Sequence, residues 1–270
     1  MMHTFEDILS HAKPKRIFVS PHPSPPLGRA LDDVKKAGHD VIVGNDFSST
    51  GAKDILRGFE QGEWDIFMQG DVPLKHVFEL LEAWGVKRNQ LGFVSLFEDK
   101  IRSKLLFVVD TYVQNNPSFK DKMMLLEMTI DLARALGVEA PQVAVLSALE
   151  TVNPAMVSSI EAAALSKMSE RGQFSACVEG PLDIDSALCA VAARRKGVSS
   201  PVPGEVDILL CPDVESANAL SRFLSGLGRL PAAGVLLGTP LPVVIHPSLI
   251  SMDHKLVEVA IASIKGEFKP

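Results

Sequence analysis

Six short segments place acidic, amide, glycine or histidine residues directly after runs that the sequence predicts to be β-strands. They are Gln69-Gly70-Asp71, Asp110-Thr111-Tyr112, Glu150-Thr151-Val152-Asn153, Glu179-Gly180-Pro181, Cys211-Pro212-Asp213 and His246-Pro247-Ser248. In an open α/β sheet, ligands bind outside the carboxyl ends of the strands, where loops and helix N-termini present N–H groups. Such a set can bind an anion and move a proton. Each segment alone is also an ordinary β-to-α turn, because these turns need Gly, Pro, Asn and Asp.

The elements that position these segments alternate along the chain as strands and helices. The predicted strands are 16–20, 40–43, 65–69, 90–97, 104–109, 142–149, 176–179, 206–211, 234–237 and 242–246. Alternation of this kind predicts an α/β fold with a mostly parallel sheet. The polar link Glu98-Asp99-Lys100 is too short for a crossover helix, so the strands on either side of it are predicted to form an antiparallel pair.

The helices are predicted from their capping residues. Ser118 and Asp121 form a capping-box pattern before an apolar stretch that Gly137 ends. Asn153-Pro154 predicts the start of a helix that runs to Arg171. Further helices are predicted over 27–37, 52–60, 73–84, 185–197, 215–227 and 252–264.

Composition excludes several classes of protein. The chain has 270 residues, of which 46% are hydrophobic and 22% charged, as in globular proteins of roughly two domains. The formal net charge of −6 gives no general attraction for a nucleic-acid backbone. Neither a signal peptide nor an apolar run of membrane-spanning length is found, so we expect a cytoplasmic protein with no nucleic-acid or membrane partner.

The three cysteines, Cys177, Cys189 and Cys211, are widely spaced and form no C-x-x-C pair. Neither a disulfide framework nor a zinc site is predicted, and no metal ligands are assigned. Cys177 and Cys211 lie in apolar runs without a neighbouring histidine. They are therefore predicted to be small buried hydrophobic residues rather than catalytic thiols.

Five longer strings keep a common order and spacing over about residues 65–265. They are Gly70-Asp71-Val72 (G-D-V), Val109-Asp110 through Pro117 to Lys122 (T-D-A-A-x-N-x-x-P-x-x-x-x-K), Leu136-Gly137-Val138 through Pro141, Glu150 and Asn153 to Met156 (L-G-I-x-x-P-K-V-A-x-L-A-A-V-E-x-V-N-x-x-M), Glu179-Gly180-Pro181-Leu182 with Asp185 and Ala187 (D-G-P-L-x-x-D-x-A), and Val206-Asp207-Ile208-Leu209-Leu210 with Pro212, Glu215 and Asn218 (A-D-I-L-L-x-P-x-x-E-x-x-N). The sequence resembles the phosphate acetyl/butyryl transferase family, most closely its butyryl branch.

The resemblance implies a two-domain, three-layer α/β/α fold like that of the isocitrate and isopropylmalate dehydrogenases. Residues 1–123 and 236–270 would form a discontinuous domain I. Residues 124–235 would form domain II, whose long helix supports a homodimer. The implied reaction moves a short acyl group reversibly between coenzyme A (CoA) and phosphate. CoA or acyl-CoA is then a substrate, phosphate or acyl phosphate its co-substrate, and no permanently bound cofactor or metal is needed.

The resemblance also assigns site residues. Asp253, His246 and Ser248 are expected at the catalytic position. Those expected to bind substrate are Gly70, Asp71, Asp110, Gln114, Glu150, Asn153, Gly180, Pro181, Asp185 and Ser251.

Four of the family's motifs are changed here. Pro247-Ser248 stands where the family has Ser-Arg, Gln69 replaces the lysine before G-D-V, Gly92-Phe93 replaces a Ser-His pair, and Gln114 replaces an asparagine. A hydroxyl cannot imitate the bidentate fork of a guanidinium. Other groups that can bring positive charge are His246, His254, Lys255, Arg102 and Lys87-Arg88, and Asp253 or Glu150 can accept a proton.

Three functions therefore stay open on the sequence. The first is an acyltransferase, and the second is a non-catalytic or repurposed protein of the same fold that binds CoA or acyl-CoA. The third, an enzyme of dehydrogenase type, is disfavoured because the chain has neither a glycine-rich dinucleotide fingerprint nor a metal-binding carboxylate cluster in its sequence pattern.

Overall fold

The computed structural model of the chain describes residues 2–21, 24–44, 49–246 and 254–267. Its strands are β1 (Arg16–Val19), β2 (Asp40–Val43), β3 (Ile66–Met68), β4 (Gly92–Asp99), β5 (Lys104–Val109), β6 (Gln142–Leu146), β7 (Cys177–Leu182), β8 (Ile208–Leu210), β9 (Ala232–Leu237) and β10 (Val243–Val244).

The helices lie mainly between the strands. They are α1 (Phe5–His11), α2 (Pro25–Lys36), α3 (Ser49–Glu60), α4 (Leu74–Ala83), α5 (Phe119–Ala135), α6 (Val157–Glu170), α7 (Ile184–Leu188), α8 (Ala190–Arg195), α9 (Val214–Gly226) and α10 (Lys255–Glu267), with a short 3-10 helix at Arg88–Gln90. None of the helices within the described ranges combines the length and the apolar character needed to cross a membrane.

The strands form two sheets. The first has the order β10-β3-β1-β2, and all its pairs are parallel. The second has the order β7-β6-β8-β5-β4-β9. Its strands β7, β6, β8 and β5 are parallel to their neighbours in that order, while β4 is antiparallel to both β5 and β9. The predicted α/β class and the predicted antiparallel pair are confirmed.

The predicted domains divide the chain at 123/124 and 235/236, whereas the sheets change between β3 and β4 and between β9 and β10. Strands β4 and β5 therefore belong to the sheet of β6 to β9. Because sheet membership alone does not define a domain, the discontinuous arrangement stays a prediction.

Alternate residues of the second sheet pack on its opposite faces, as a pleated strand requires. Val143 and Val145 of β6 lie in a cluster with residues of α5 and α6. Ala144 and Leu146 lie in another, with residues of α7 and α9. Helices therefore cover both faces of this sheet.

Two helical predictions were wrong in detail. Helix α1, which was not predicted from the sequence, begins with a capping box between Thr4 and Asp7. The single helix predicted over 185–197 is two helices, because Cys189 adopts an extended conformation and ends one helix while capping the next. The capping box of Ser118 and Asp121 on α5 is confirmed.

Helix α10 packs against both sheets. Val257 and Ile261 belong to the cluster under the second sheet. Val259 and Ala262 belong to a cluster with β1, β3 and β10 of the first. The helix is thereby a shared support for β9 and β10.

A buried ion pair lies at the start of α10. Lys255 Nζ is 2.5 Å from Glu258 Oε2, and both side chains are fully buried. The second carboxylate oxygen, Glu258 Oε1, accepts the N–H of Gly234 in β9 at 3.0 Å. Burial raises the pKa of Glu258, and Lys255 opposes that rise.

Removing one member of this pair leaves a buried charge without compensation, so Lys255→Met should lower the free energy of unfolding by about 3–5 kcal/mol. Urea denaturation measures this change. Adding Glu258→Gln to that variant should restore part of the loss, since glutamine removes the charge and keeps an acceptor for Gly234. Lys36→Met, which breaks the exposed pair with Asp33, is the matched control and should change stability little. Equal effects of Lys255→Met and Lys36→Met would contradict this account.

Candidate functional site

The carboxyl ends of β1 and β3 are in direct contact. The N–H of Gly70 donates to Ser20 Oγ at 2.6 Å. A side chain at position 70 would bring its Cβ within 2.1 Å of the Ser20 carbonyl oxygen. This close approach requires glycine at the predicted substrate-binding position 70. Asp71, the next predicted site residue, is exposed to solvent.

Gln69 connects the loop after β3 to the end of β10. Its side chain is buried, its Oε1 accepts the N–H of His246 at 2.7 Å, and its Nε2 donates to the Val72 carbonyl at 2.7 Å. The residue that replaces the family's lysine therefore holds two loops together through neutral hydrogen bonds.

His246 follows β10; the residue is partly exposed, but both of its ring nitrogens are buried. Neither Nδ1 nor Nε2 has a hydrogen-bond partner within the described part of the chain. Burial, together with the nearby charge of Lys255, lowers the pKa of His246 to about 3. The ring is consequently uncharged at neutral pH and does not supply the positive charge that the missing arginine would provide. Its catalytic assignment stays a prediction.

Asp110, directly after β5, is buried and accepts four backbone N–H groups. Oδ1 accepts from Phe93 (3.1 Å), Tyr112 (3.0 Å) and Val113 (3.0 Å), and Oδ2 accepts from Gln114 (2.9 Å). Burial raises the pKa of Asp110, and these four donors oppose the rise. The carboxylate thus fixes the conformation of the loop over 110–114.

Gln114 fastens the same loop from its other end. Its Nε2 donates to the carbonyls of Leu91 (2.7 Å) and Asn89 (3.2 Å), just before β4. Both predicted binding residues of this loop therefore use their side chains to hold protein backbone.

An open depression of about 420 Å³ lies between this loop and the start of α9. Its lining residues are Thr111, Tyr112, Val214, Glu215, Asn218 and Ala219. Asn218 Nδ2 donates to the Thr111 carbonyl at 3.2 Å, which joins the two walls. Thr111 and Tyr112 belong to one of the strand-end segments named from the sequence, and Glu215 and Asn218 stand in the last of the strings that carry the resemblance, but none of the six was predicted as a site residue.

One hydrophobic cluster gathers loops from both sheets. It contains Phe67 of β3, Phe93 of β4, Val113 and Ile245, with Tyr112 and Val72 packed against it. The loops after β3, β5 and β10 therefore pack against the same hydrophobic cluster, as expected if the segments that follow the strands lie close together.

A second polar group forms around Lys196. Its ammonium lies 3.0 Å from Glu150 Oε1 and 2.6 Å from Asp185 Oδ1, and it also pairs with Asp183. Ser186 Oγ donates to Glu150 Oε1 at 2.6 Å. The fold brings together the predicted site residues Glu150 and Asp185, but each is already paired.

These carboxylates are also the group whose geometry suits a metal ion, since one oxygen each of Glu150, Asp183 and Asp185 lies within 4.8 Å of the others. The ammonium of Lys196 contacts all three. It thus provides the positive charge that a divalent cation would otherwise bring, and the arrangement is accounted for as an ion-pair cluster.

Three predicted binding residues lie at a strand and a helix whose predicted bounds were wrong. Gly180 and Pro181 are buried residues within β7. The strand can continue through Pro181 because β7 lies at the edge of its sheet, where proline is tolerated. Asn153 does not cap α6, which begins at Val157; its Oδ1 accepts the N–H of Ala155 at 2.9 Å in a preceding turn.

Burial raises the pKa of Cys211 to about 12, which suits a buried hydrophobic role and not a nucleophile. Cys177 is partly buried in β7, and burial raises its pKa as well.

The other candidate cations are engaged in packing. Arg102 pairs with Asp99 at 2.6 Å and donates to the Val206 carbonyl. This is the amino end of β8, so the candidate cation Arg102 does not lie at the carboxyl ends of the strands. Arg88 lies 4.4 Å over the Phe78 ring, and His254 packs edge-on against Phe5. The predicted residues Ser248, Ser251 and Asp253 lie outside the described residues.

Comparison with known proteins connects these loops to a family. The sequence profile described as Phosphate acetyl/butaryl transferase matches residues 60–263. The chain belongs to this family. The match spans the loops after β3, β5, β8 and β10, and it confirms the resemblance drawn from the sequence strings.

Individual relatives of this family are similar over most of the chain. Phosphate butyryltransferase of Clostridium acetobutylicum is 32% identical, with 98% of each chain covered. Phosphate acetyltransferase of Thermotoga maritima is 34% identical over 77% of this chain and 72% of its own. The crystal structure of a branched-chain phosphotransacylase from Enterococcus faecalis V583 has the same fold, with a TM-score of 0.81 at 22% identity, covering 94% of this chain and 99% of that one.

The Lys196 cluster generates a pH-dependent prediction. Burial alone would raise the pKa of Asp183, but hydrogen bonds from its neighbours, Lys196 among them, outweigh burial and hold that pKa well below its usual range. A carboxyl group whose pKa is depressed in the folded state stabilises the fold at pH values above the ordinary aspartate pKa. This stabilisation is lost as the pH falls below that value. Lys196→Met should therefore be less stable than wild type at pH 7.

That difference should shrink as the pH falls from about 5 towards 2, because protonation removes the carboxylate charge in both proteins. Urea denaturation over this pH range measures it. Lys167→Met, which breaks an exposed pair with Glu170, should show no comparable dependence. A difference for Lys196→Met that is constant with pH would refute the electrostatic role.

Proposed function

We propose that this protein moves a short acyl group reversibly between CoA and phosphate. The observation that carries the proposal is the family match over 60–263, which includes the loops gathered at the carboxyl ends of β3, β5, β8 and β10. The relatives named above are transferases of butyryl or acetyl groups and phosphate.

In this reaction a phosphate oxygen attacks the thioester carbonyl, a bond from carbon to that oxygen forms, and the bond from carbon to sulfur breaks. The CoA thiolate leaves and takes up a proton, while the acyl phosphate is the second product. Donors to the developing oxyanion and a group that exchanges the thiol proton accelerate these steps. CoA is a substrate here, and the proposal needs no resident cofactor.

We assign the loops supportive and binding roles. Asp110 and Gln114 hold the loop over 110–114 in shape through their backbone contacts. Asn218 and Thr111, at the wall of the depression, offer polar groups to substrate. Asp253 is the candidate for proton exchange, and Ser248 occupies the place of the family's arginine. This chemistry suits the cytoplasm, where acyl-CoA and phosphate are both present.

We further propose a homodimer formed through α6. The predicted long helix, α5, packs its apolar side into the core of its own chain. By contrast, Val157 and Ile160 of α6 are 65% and 43% exposed, one helical turn apart, and Val152 just before the helix is 55% exposed. Neighbouring apolar side chains of this kind are typical of surfaces that another chain covers.

A Val157→Glu substitution should convert the dimer to monomers, because a charge would be buried in the interface. Light scattering coupled to gel filtration gives the mass. Leu227→Glu is the matched control, since Leu227 is as exposed but lies at the end of α9, and it should stay dimeric. Wild type that is monomeric at micromolar concentration would disprove the dimer.

Acyl transfer is tested by thiol release from butyryl-CoA in phosphate. Wild type should release CoA in proportion to phosphate, and Pro247→Ser with Ser248→Arg should raise that rate about tenfold or more by restoring a cationic clamp. The two changes are adjacent, so each single variant is needed to measure their coupling.

Ser199→Arg, an exposed position between α8 and β8, controls for the added charge and should have no effect. Binding of CoA without thiol release, in wild type and in the double variant alike, would instead favour a protein that binds CoA or acyl-CoA without turnover. This second function is considered because Ser248 stands where the family has arginine.

A further inference from the structure

The two ring nitrogens of His246 are buried polar atoms that the described part of the chain does not satisfy. Both ring nitrogens are inaccessible and lack partners among the described residues. Buried polar groups are almost always hydrogen-bonded in folded proteins. An exception at the carboxyl end of a parallel strand, where ligands bind in such sheets, points to a partner that arrives with a ligand.

The position of the ring is fixed by its backbone. The His246 N–H donates to Gln69 Oε1, and Gln69 also holds the loop of Gly70 and Val72. Ile245, the preceding residue, is buried in the cluster that carries Tyr112 and Val113. The imidazole is thus presented from a rigid strand end beside the loops of the candidate site.

The surroundings of the ring keep it uncharged. Lys255 acts on the imidazole electrostatically, and the partner of Lys255 is Glu258, whose carboxylate is also bound to Gly234. Together with burial, this keeps the ring uncharged. A neutral imidazole carries one N–H donor and one acceptor nitrogen, so it can donate to an anionic oxygen without itself carrying charge.

We propose that His246 binds a phosphoryl oxygen of the substrate as an uncharged N–H donor. This inference rests on the proposed function, which supplies two sources of that oxygen: inorganic phosphate and the phosphate groups of CoA. Inorganic phosphate is the expected one. A hydrogen bond from a neutral donor would take over part of the work that the guanidinium performs at the neighbouring family position.

The test is the dissociation constant of the full-length protein for inorganic phosphate and, separately, for CoA, measured by titration calorimetry. His246→Leu should weaken phosphate binding about tenfold, the loss of one hydrogen bond to a charged group. His246→Gln, which keeps an N–H donor, should recover part of the affinity. His39→Leu is the matched control: His39 is a buried histidine just before β2, and its Nδ1 accepts the Lys15 N–H.

A second readout follows the ring directly. The imidazole ¹⁵N resonances of His246 should shift when phosphate is added, whereas those of His39 should not. A loss confined to CoA would support a phosphoryl contact and place it on CoA.

Unchanged affinity of His246→Leu for both ligands would overturn the inference, as would wild type that binds neither phosphate nor CoA. A buried water on the ring would produce the first of these results. Because binding is measured without turnover, a protein that binds phosphate through His246 but transfers no acyl group would refute the proposed function and leave this inference standing.

Discussion

The buried ion pair of Lys255 and Glu258 connects the fold to the site. It lies at the start of α10, the helix that packs against both sheets, and Glu258 reaches β9 through the Gly234 N–H. A buried pair of charges stabilises a fold only when its geometry is complete, because desolvation is costly. This pair therefore ties the start of α10 to β9, and Lys255 also acts electrostatically on the imidazole of His246.

The polar side chains around the site largely hold protein backbone. Asp110 accepts four N–H groups, Gln114 donates to two carbonyls, and Gln69 joins two loops. Rigid loops place donors and acceptors without reorganisation during a reaction, which is how preorganised sites stabilise developing charge. Gln69 and Gln114 stand where the family has lysine and asparagine, and in this fold both side chains hydrogen-bond the backbone of neighbouring loops.

Much of the fold could be predicted from the sequence because it depends on local patterns. Strand and helix alternation, the capping box of Ser118 and the short link between β4 and β5 are all local. The division into two sheets and the break at Cys189 could not be predicted, since pairing and packing are decided by distant residues. For the site, the motif strings selected loops, and the fold packs residues of the loops after β3, β5 and β10 into one cluster. The roles of Asp110 and Lys196 required the three-dimensional arrangement, because their partners are up to 46 residues away in sequence.

The proposed reaction joins an acyl group to phosphate at one site. Its most direct test is the ³¹P NMR spectrum of the full-length protein incubated with butyryl-CoA and inorganic phosphate. An acyl phosphate resonance should grow at the expense of the phosphate signal, and added CoA should reverse the change. A phosphate spectrum that stays constant while butyryl-CoA is bound would contradict the proposed reaction.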